Sequence, residues 1–331
     1  MKIHAIDTLA EFLALRESHA PLSPQPYLLC RLGTASTETA AIAAALQAFP
    51  GPVIGVGGVS GDDPLAAACD TVVADAVQAA PLVTNIERSP IAASVLVQTL
   101  RACGPLPLAD ALNLESLAYA TLQSGPEFKA WHARQTPSLA APVDDGPAVL
   151  LSRMDDDLDI QLNRPSNFNA MTVEMRDALN EALELVIHDS SLRGVRLSGR
   201  GRCFSTGGDL REFGTAPDPA TAHLIRNLTL PGRLLAACAA RVVADLHGSC
   251  IGSGIEFPSF AGHITADAQT WFQLPELKYG LIPGAGGCVS ISRRIGRQRT
   301  AWLVLSGKRI QAPTALAWGL IDAIRPQSVQ T

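Results

Sequence analysis

Short apolar segments that run into glycines recur along this chain, and helical patterns separate them. Val195-Arg196-Leu197 runs towards Gly199, and Val242–Leu246 runs towards Gly248. Between such segments, apolar residues recur at helical spacing, as they do over 172–187. Strands that alternate with helices are typical of layered α/β folds, because crossover helices cover the faces of parallel strands. The sequence therefore predicts an α/β protein.

Organisation into two parts is indicated by a stretch without periodicity at 136–147, which is rich in proline and predicts a linker. A chain of 331 residues is long enough for about two domains. We therefore expect one part over 1–142 and another over 143–331. In the first part the patterns predict strands at 27–30 and 52–54 and helices at 40–49, 91–103, 108–123 and 127–134.

Composition and charge exclude several classes of protein. Hydrophobic residues make up 47% and charged residues 17% of the chain, which is typical of a globular protein rather than a disordered one. The formal net charge is −5, whereas a nucleic-acid-binding protein normally has a basic excess. We find neither a signal-peptide core nor an apolar run long enough to cross a membrane. The sequence therefore predicts a cytoplasmic protein that binds neither nucleic acid nor membranes.

Seven cysteines are present, and no two of them have CxxC spacing. An odd count without that spacing favours reduced thiols over a disulfide framework or a zinc site. We therefore expect no metal. The segment Gly55-Val56-Gly57-Gly58-Val59-Ser60-Gly61 suggests a dinucleotide-binding loop, but Ser60 replaces the last glycine of that pattern. A tight turn after a buried strand is the better interpretation.

Two glycine-rich segments, at 199–210 and 247–256, are the most informative part of the sequence. Each leaves a predicted strand, and we expect each to enter a helix. Such turns leave backbone N–H groups unpaired, and two turns that face each other can bind one developing oxyanion. Two purely structural turns would give the same pattern, so the glycines alone leave both interpretations open.

Two carboxylates accompany these turns. Glu256 ends the second glycine-rich segment, and Glu276 follows twenty residues later. Water addition to a conjugated thioester requires one group that activates water and another that delivers a proton to carbon. Two glutamates beside an oxyanion hole would supply both, which favours a catalytic interpretation over two surface carboxylates.

Several motifs in residues 148–326 resemble those of the crotonase family, which comprises enoyl-CoA hydratases and isomerases. They are Leu162-Asn163-Arg164-Pro165, Phe204-Ser205-Thr206-Gly207-Gly208-Asp209-Leu210, Gly252-Ser253-Gly254-Ile255-Glu256, Pro275-Glu276 and Gly280-Leu281-Ile282-Pro283-Gly284-Ala285-Gly286-Gly287. The resemblance implies a core of ββα turns wound as a spiral and a coenzyme A thioester as substrate. It implies no cofactor beyond the coenzyme A of the substrate, and a homotrimer or hexamer as the assembly.

The resemblance also implies the roles of particular residues. The oxyanion hole would be formed by the backbone N–H groups of Thr206 and Ser253. Glu256 would activate water and Glu276 would donate a proton, which favours a hydratase over an isomerase. An acyl-CoA hydrolase and a non-catalytic acyl-CoA-binding protein remain alternatives. The expected substrate-binding residues are Arg164, Ser205, Gly207, Gly208, Asp209, Leu210, Gly252, Trp271, Pro275 and Gly284.

The chain departs from the family pattern in two ways. Ser253 stands where glycine is usual, which adds a hydroxyl beside the expected oxyanion site. The tail helices of the family are expected after about residue 322, but segments similar to them occur at about 89–136 instead. Because Pro64 falls where Glu256 stands in the second part, residues 1–142 resemble a degenerate, non-catalytic copy that retains the tail helices. An unrelated α/β lobe is the alternative.

Overall fold

Helices and strands alternate along most of the chain, as the sequence predicts. The computed structural model describes residues 2–33, 36–58, 63–136 and 144–326. Most of the predicted linker and the end of the glycine-rich segment at 55–61 lie outside the described residues.

The helices, in chain order, are α1 Leu9–Arg16, α2 Thr39–Ala48, α3 Pro64–Ala68, α4 Ala76–Arg88, α5 Pro90–Cys103, α6 Leu108–Gln123, α7 Pro126–His132, α8 Val173–His188, α9 Pro219–Thr229, α10 Pro231–Cys238, α11 Ser253–Glu256, α12 Gly287–Ile295, α13 Arg297–Ser306 and α14 Ala312–Trp318. The strands are β1 Leu28–Arg31, β2 Val53–Val56, β3 Thr71–Val73, β4 Val149–Met154, β5 Asp157–Leu162, β6 Gly194–Gly199, β7 Val242–Leu246, β8 Ser249–Ile251, β9 His263–Asp267, β10 Trp271–Gln273, β11 Ile310–Gln311 and β12 Ala323–Arg325.

These strands form three sheets in the described part of the chain. The first part contributes a parallel sheet of order β1-β2-β3. The second part contributes a six-stranded sheet of order β12-β9-β7-β6-β5-β4 and a smaller one of order β11-β10-β8. Most neighbouring strands are parallel, and the hairpin β4–β5 is antiparallel. The α/β class is therefore confirmed.

Local signals explain why the best-predicted elements form. The Thr172 side chain accepts a hydrogen bond from the Met175 backbone N–H at 3.1 Å and so caps α8. The buried face of α8 contains Met175, Leu179 and Leu183, whose spacing matches the helical period. In β5, buried residues alternate with less buried ones, as expected for a strand with one face on the core.

One expectation about the glycine-rich segments is wrong. The second segment enters a helix, α11, which begins at Ser253. The first does not, because residues 211–218 form turns and irregular structure before α9 begins at Pro219. Asp209 and Arg211 form an ion pair in this stretch, and Gly214 has a positive φ of 76°. Both features favour a turn over a continuous helix.

A continuous hydrophobic core joins the two predicted parts. It includes Leu96, Leu100 and Phe128 from the first part and Leu277 and Leu303 from the second. The apolar spacing over 91–134 predicts Leu117 as a further contact with the second part. This prediction is wrong, because the Leu117 side chain is 51% exposed. The apolar spacing of α6 fits more than one face, and tertiary packing selects the face that contains Leu112 and Glu115.

Polar contacts strengthen this junction. Ser89 Oγ donates to the Leu277 carbonyl at 2.7 Å, and Asn85 Nδ2 donates to the carbonyls of Leu305 and Ser306 at 3.0 and 2.9 Å. Arg297 Nη1 lies 3.0 Å from Asp70 Oδ1. The helices of the first part are therefore fixed directly against the elements that contain Glu276 and the following loop.

Candidate active site

A cavity of about 560 Å³ lies where the two glycine-rich segments meet. Residues from both segments line it, together with Glu256 and Glu276. The first part of the chain contributes to the same wall through Tyr119 and Gln123 on α6. The structure thus brings together the features that the sequence places far apart.

Close backbone packing brings the two glycine-rich segments face to face. A Cβ atom on Gly207 would lie 2.5 Å from the Ile251 carbonyl oxygen, and one on Gly254 would lie 2.4 Å from the Ser205 carbonyl oxygen. Gly207 also has a φ of 90°, a region that favours glycine. These positions need glycine because any side chain would separate the turns.

The two backbone amides expected to form the oxyanion hole differ in their hydrogen bonding. The Ser253 N–H is at the start of α11 and has no acceptor among the described residues. The Ser253 Oγ is buried and also lacks a hydrogen-bond partner among them. The Thr206 N–H, in contrast, donates to the Phe168 carbonyl at 3.1 Å. Of these two amides, only that of Ser253 is free to donate a hydrogen bond to a ligand.

The Glu256 and Glu276 carboxylates converge on Gly252. A Cβ atom there would lie 3.0 Å from Glu276 Oε1 and 3.9 Å from Glu256 Oε1. Glu256 Oε2 accepts hydrogen bonds from the backbone N–H groups of Ala285 and Gly287, at 2.7 and 3.0 Å. Glu276 Oε2 is buried without a partner among the described residues.

Burial sets the protonation of this pair. It raises the pKa of Glu256 to about 7, although the N–H groups of Ala285 and Gly287 oppose the rise. Burial raises the pKa of Glu276 well above the ordinary value, and the nearby charge of Glu256 raises it further. A pair in which one carboxyl ionises much more readily than the other can supply one base and one acid.

A third buried carboxylate, Glu115 on α6, was not predicted. Its Oε1 accepts from the Gly286 N–H at 2.7 Å and its Oε2 accepts from the Cys288 N–H at 2.8 Å. Together with Glu256 it therefore binds four consecutive amides, those of residues 285–288, in alternation. Burial raises the pKa of Glu115 to about 8, and the charge of Glu256 adds to the rise.

Tyr119 and Arg226 complete the wall beside Glu256. A Cβ atom on Gly284 would lie 2.3 Å from Tyr119 Cδ2, so the tyrosine ring packs directly on that glycine. The Arg226 guanidinium carbon lies 4.3 Å from the centre of the same ring. No spacing in the sequence relates these residues, because they come from α6 and α9 and meet only in the folded chain.

Most of the predicted binding residues line the cavity. These are Thr206, Gly207, Gly208, Asp209, Leu210, Gly252, Ser253, Pro275 and Gly284. Three predicted residues lie outside it. Arg164 forms an ion pair with Glu174, with 2.5 Å between Arg164 Nη2 and Glu174 Oε1. The guanidinium carbon of Arg309 lies 3.8 Å from the centre of the Trp271 ring. Ser205 accepts from the Gly207 N–H at 3.1 Å and so supports the turn from behind.

Other sequence expectations concern features away from this cavity. All seven cysteines are buried and unpaired. Within the described residues, no cluster of His, Cys, Asp and Glu side chains has the composition of a metal site. No helix in the described ranges is both long enough and apolar enough to cross a membrane.

The fold and cavity together define a class: an α/β protein with paired buried carboxylates beside two glycine-rich turns. A model of the enoyl-CoA hydratase/isomerase family matches residues 158–330. The chain belongs to this family, the crotonase family, as its motifs predict.

Individual relatives give the extent of the similarity. The chain is 31% identical over 169 residues to a mitochondrial enoyl-CoA hydratase of Pongo abelii, covering 50% of this chain and 57% of that protein. It is 32% identical over 169 residues to the fatty acid oxidation complex subunit alpha of Shewanella oneidensis, covering 49% of this chain and 23% of that subunit. The similarity therefore spans little more than half of the first relative and a quarter or less of the second.

Solved structures agree with this assignment. The enoyl-CoA hydratase of Thermoplasma volcanium is 30% identical, with a TM-score of 0.50, and the match covers 54% of this chain and 72% of that one. The enoyl-CoA hydratase of Mycobacterium smegmatis is 28% identical, with a TM-score of 0.51, and the match covers 54% of this chain and 70% of that one. The crotonase fold that the motifs predict is therefore confirmed.

Proposed function

We propose that this protein hydrates a 2-enoyl-CoA thioester to a 3-hydroxyacyl-CoA. The observation on which this depends is the convergence of Glu256 and Glu276 on Gly252, next to the free amide of Ser253. The names of the relatives, enoyl-CoA hydratases and a fatty acid oxidation subunit, support the same substrate class.

The proposed reaction uses each group according to its environment. The Ser253 N–H donates to the thioester oxygen and stabilises the negative charge that develops there. Glu256, held as a carboxylate by two backbone N–H groups, takes a proton from water as the water oxygen bonds to Cβ. Glu276, whose pKa is raised well above its ordinary value by burial and by the charge of Glu256, gives its proton to Cα. The C=C bond becomes a single bond, and the proton then passes from Glu256 to Glu276, for example through the next bound water, which restores the starting state.

Thr206 is the proposed second oxyanion donor. Its N–H is bonded to the Phe168 carbonyl at 3.1 Å, so the thioester oxygen has to replace that acceptor when substrate binds. Phe168 and Asn169 both have a positive φ, of 53° and 51°, which residues with side chains rarely adopt.

The first part of the chain is the proposed cover of this site. Helices α5, α6 and α7 pack on the second part. Of these, α6 supplies Tyr119 and Gln123 to the cavity wall. We therefore retain the hypothesis that residues 1–142 act as a degenerate family copy with tail helices. We also retain a homotrimer or hexamer as the proposed assembly.

Substitution of each glutamate tests the mechanism. We expect Glu256→Gln and Glu276→Gln each to lower hydration by about 10²- to 10⁴-fold, because each removes one general acid–base group. The double variant is expected to lose far less than the product of the two effects, because the groups act together. Turnover of a 2-enoyl-CoA is measured by loss of its conjugated absorbance and by product mass.

The control is Glu184→Gln, a change at an exposed position on α8 outside the cavity. It is expected to keep full activity. Near-normal hydration by either active-site variant contradicts the mechanism. Formation of a 3-enoyl-CoA or free acid instead of a 3-hydroxyacyl-CoA contradicts the proposed reaction.

A further inference from the structure

Arg226 is a positive charge in the cavity wall whose hydrogen-bond acceptors among the described residues are all neutral. Its Nη1 donates to Ser116 Oγ at 3.0 Å and its Nη2 donates to Gln123 Oε1 at 3.2 Å, and both acceptors are neutral. It forms no ion pair with any carboxylate of the described residues, and Glu115 and Glu256 attract it only at longer range. Arg176, the other arginine that lines the cavity, pairs with Asp177 at 2.7 Å.

The position of Arg226 follows from a chain of contacts that starts at the reacting groups. Glu256 is bonded to the Ala285 N–H, Gly284 precedes Ala285, and the Tyr119 ring packs on Gly284. The Arg226 guanidinium lies over the same tyrosine ring. Glu256, Tyr119 and Arg226 line the same cavity, so an acyl chain whose reacting carbons lie at Glu256 can extend along this wall towards the guanidinium.

The environment of Arg226 suits an anionic ligand group. A guanidinium has five donors in a fixed plane and binds a carboxylate through two parallel hydrogen bonds. Partial burial removes part of its hydration, and burial lowers the pKa of Arg226 from its usual value. A bound carboxylate would replace the lost water and add a direct ion pair to the longer-range attraction of Glu115 and Glu256.

We infer that the acyl group of the substrate has a carboxylate at its far end, which Arg226 binds. This inference depends on the proposed function for the reaction, but the binding preference can be measured without turnover. The competing explanation is that Arg226 only ties α9 to α6 through Ser116 and the Tyr119 ring. In that case the loss of Arg226 would weaken the binding of neutral and anionic acyl-CoA esters equally.

The experiment compares dissociation constants of two series of saturated CoA esters for the full chain. Succinyl-, glutaryl- and adipyl-CoA end in a carboxylate, whereas butyryl-, pentanoyl- and hexanoyl-CoA of the same lengths end in a methyl group. We expect at least one carboxylate ester to bind about 10- to 100-fold more tightly than its neutral match, the range for a hydrogen bond to a charged group.

Variants then assign the preference. Arg226→Gln is expected to abolish it and Arg226→Lys to keep part of it. Arg233→Gln is the matched control: Arg233 also reaches α6, with Nη2 2.6 Å from Asn113 Oδ1, but it does not line the cavity. It should leave the preference unchanged. Unfolding in denaturant is measured for each variant, and Arg226→Lys serves if Arg226→Gln does not fold.

The outcomes separate this inference from the proposed function. Equal affinity for the two series at every length, or an equal loss in both series with Arg226→Gln, overturns the role of Arg226. Failure to hydrate any 2-enoyl-CoA, with the carboxylate preference intact, contradicts the proposed hydration but supports the anion site. Hydration of a 2-enoyl-CoA without the preference for carboxylate esters supports the proposed function but contradicts the anion site.

Discussion

At the scale of single residues, the chemistry depends on which polar atoms are satisfied after burial. Glu256 Oε2 receives two backbone N–H groups, while Glu276 Oε2 receives none from the described residues. Both side chains are buried, so the difference in hydrogen bonding favours the charge on Glu256 and the proton on Glu276. The two roles thus come from the surroundings of two identical side chains.

The pH dependence of hydration follows from this difference. We expect kcat/KM to rise as Glu256 loses its proton near pH 7, because water activation requires the carboxylate. It should fall at higher pH when Glu276 ionises, because Cα then lacks its acid. Rates measured from about pH 5 to about pH 10 test both limbs. A flat profile through neutral pH would contradict the assignment of Glu256 as base.

Ser253 combines a free backbone donor with an unpartnered buried hydroxyl. Ser253→Gly keeps the donor and removes the hydroxyl. We therefore expect thioester binding to remain within about tenfold, a change of ~1.4 kcal/mol, while the preferred acyl length shifts as space is added. The measurement is kcat/KM across a series of 2-enoyl-CoAs.

Ser259→Ala is a suitable control for this change, because Ser259 Oγ donates to the Ile255 carbonyl at 2.7 Å outside the cavity. It should leave acyl preference unchanged. If Ser253→Gly abolishes turnover for every chain length, the hydroxyl takes part in the chemistry directly.

At the scale of elements, the beginning of α12 is the point where both parts of the chain meet the site. The amides of residues 285–288, two just before α12 and two in its first turn, bind Glu256 from α11 and Glu115 from α6 in alternation. A helix N-terminus leaves several N–H groups unpaired and favours negative charge. Helix α6 therefore helps to position the loop that holds the proposed base.

Glu115→Gln tests this positioning role. Both oxygens of the carboxyl group accept an N–H, and both keep lone pairs when the group is protonated, whereas the amide nitrogen of glutamine only donates. The N–H of Gly286 or Cys288 therefore loses its partner. We expect the free energy of unfolding to fall by about 1–3 kcal/mol. Denaturant unfolding measures it, with Glu184→Gln as the unaffected control.

The same variant has a pH signature. The pKa of Glu115 rises from 4.5 to about 8 on folding, so the folded chain binds a proton that the unfolded chain releases between these values. Wild-type stability therefore falls as pH rises across this window, and the variant lacks that contribution. The gap between wild type and variant should narrow towards pH 8. A gap that widens would contradict the raised pKa.

At the scale of the whole molecule, the core is shared across the linker. Leu96 and Leu100 of α5 lie in the same buried cluster as Leu303 of α13. Ile282 and Cys288, near the site, are fully buried in the complete chain. Removal of the first part would expose apolar surface of this kind, which soluble proteins avoid in large patches.

We therefore expect a fragment of residues 143–331 to be insoluble or inactive. Its sedimentation and turnover are compared with those of the full chain, which we expect to be a closed oligomer, a trimer or a dimer of trimers. A soluble and fully active fragment would show that residues 1–142 are an accessory domain rather than the cover of the site.

The sequence by itself determined the class of fold, the family and the two central carboxylates. Short-range signals suffice for these: the cap of α8 at Thr172, the alternation in β5 and the glycines that permit close approach of the two turns. The motif containing Glu256 also predicts its place beside the second turn. Such features depend on neighbours in the chain, so a linear pattern records them.

Only the tertiary structure decided which residues of distant segments meet. Glu115 reaches the amide of Gly286 across 171 positions, and Arg226 meets the ring of Tyr119 between two separate helices. Arg164 and Trp271 have partners outside the cavity, Glu174 and Arg309. The Phe168 carbonyl accepts the hydrogen bond of the Thr206 amide. Packing of whole elements sets these contacts, and no local spacing encodes them.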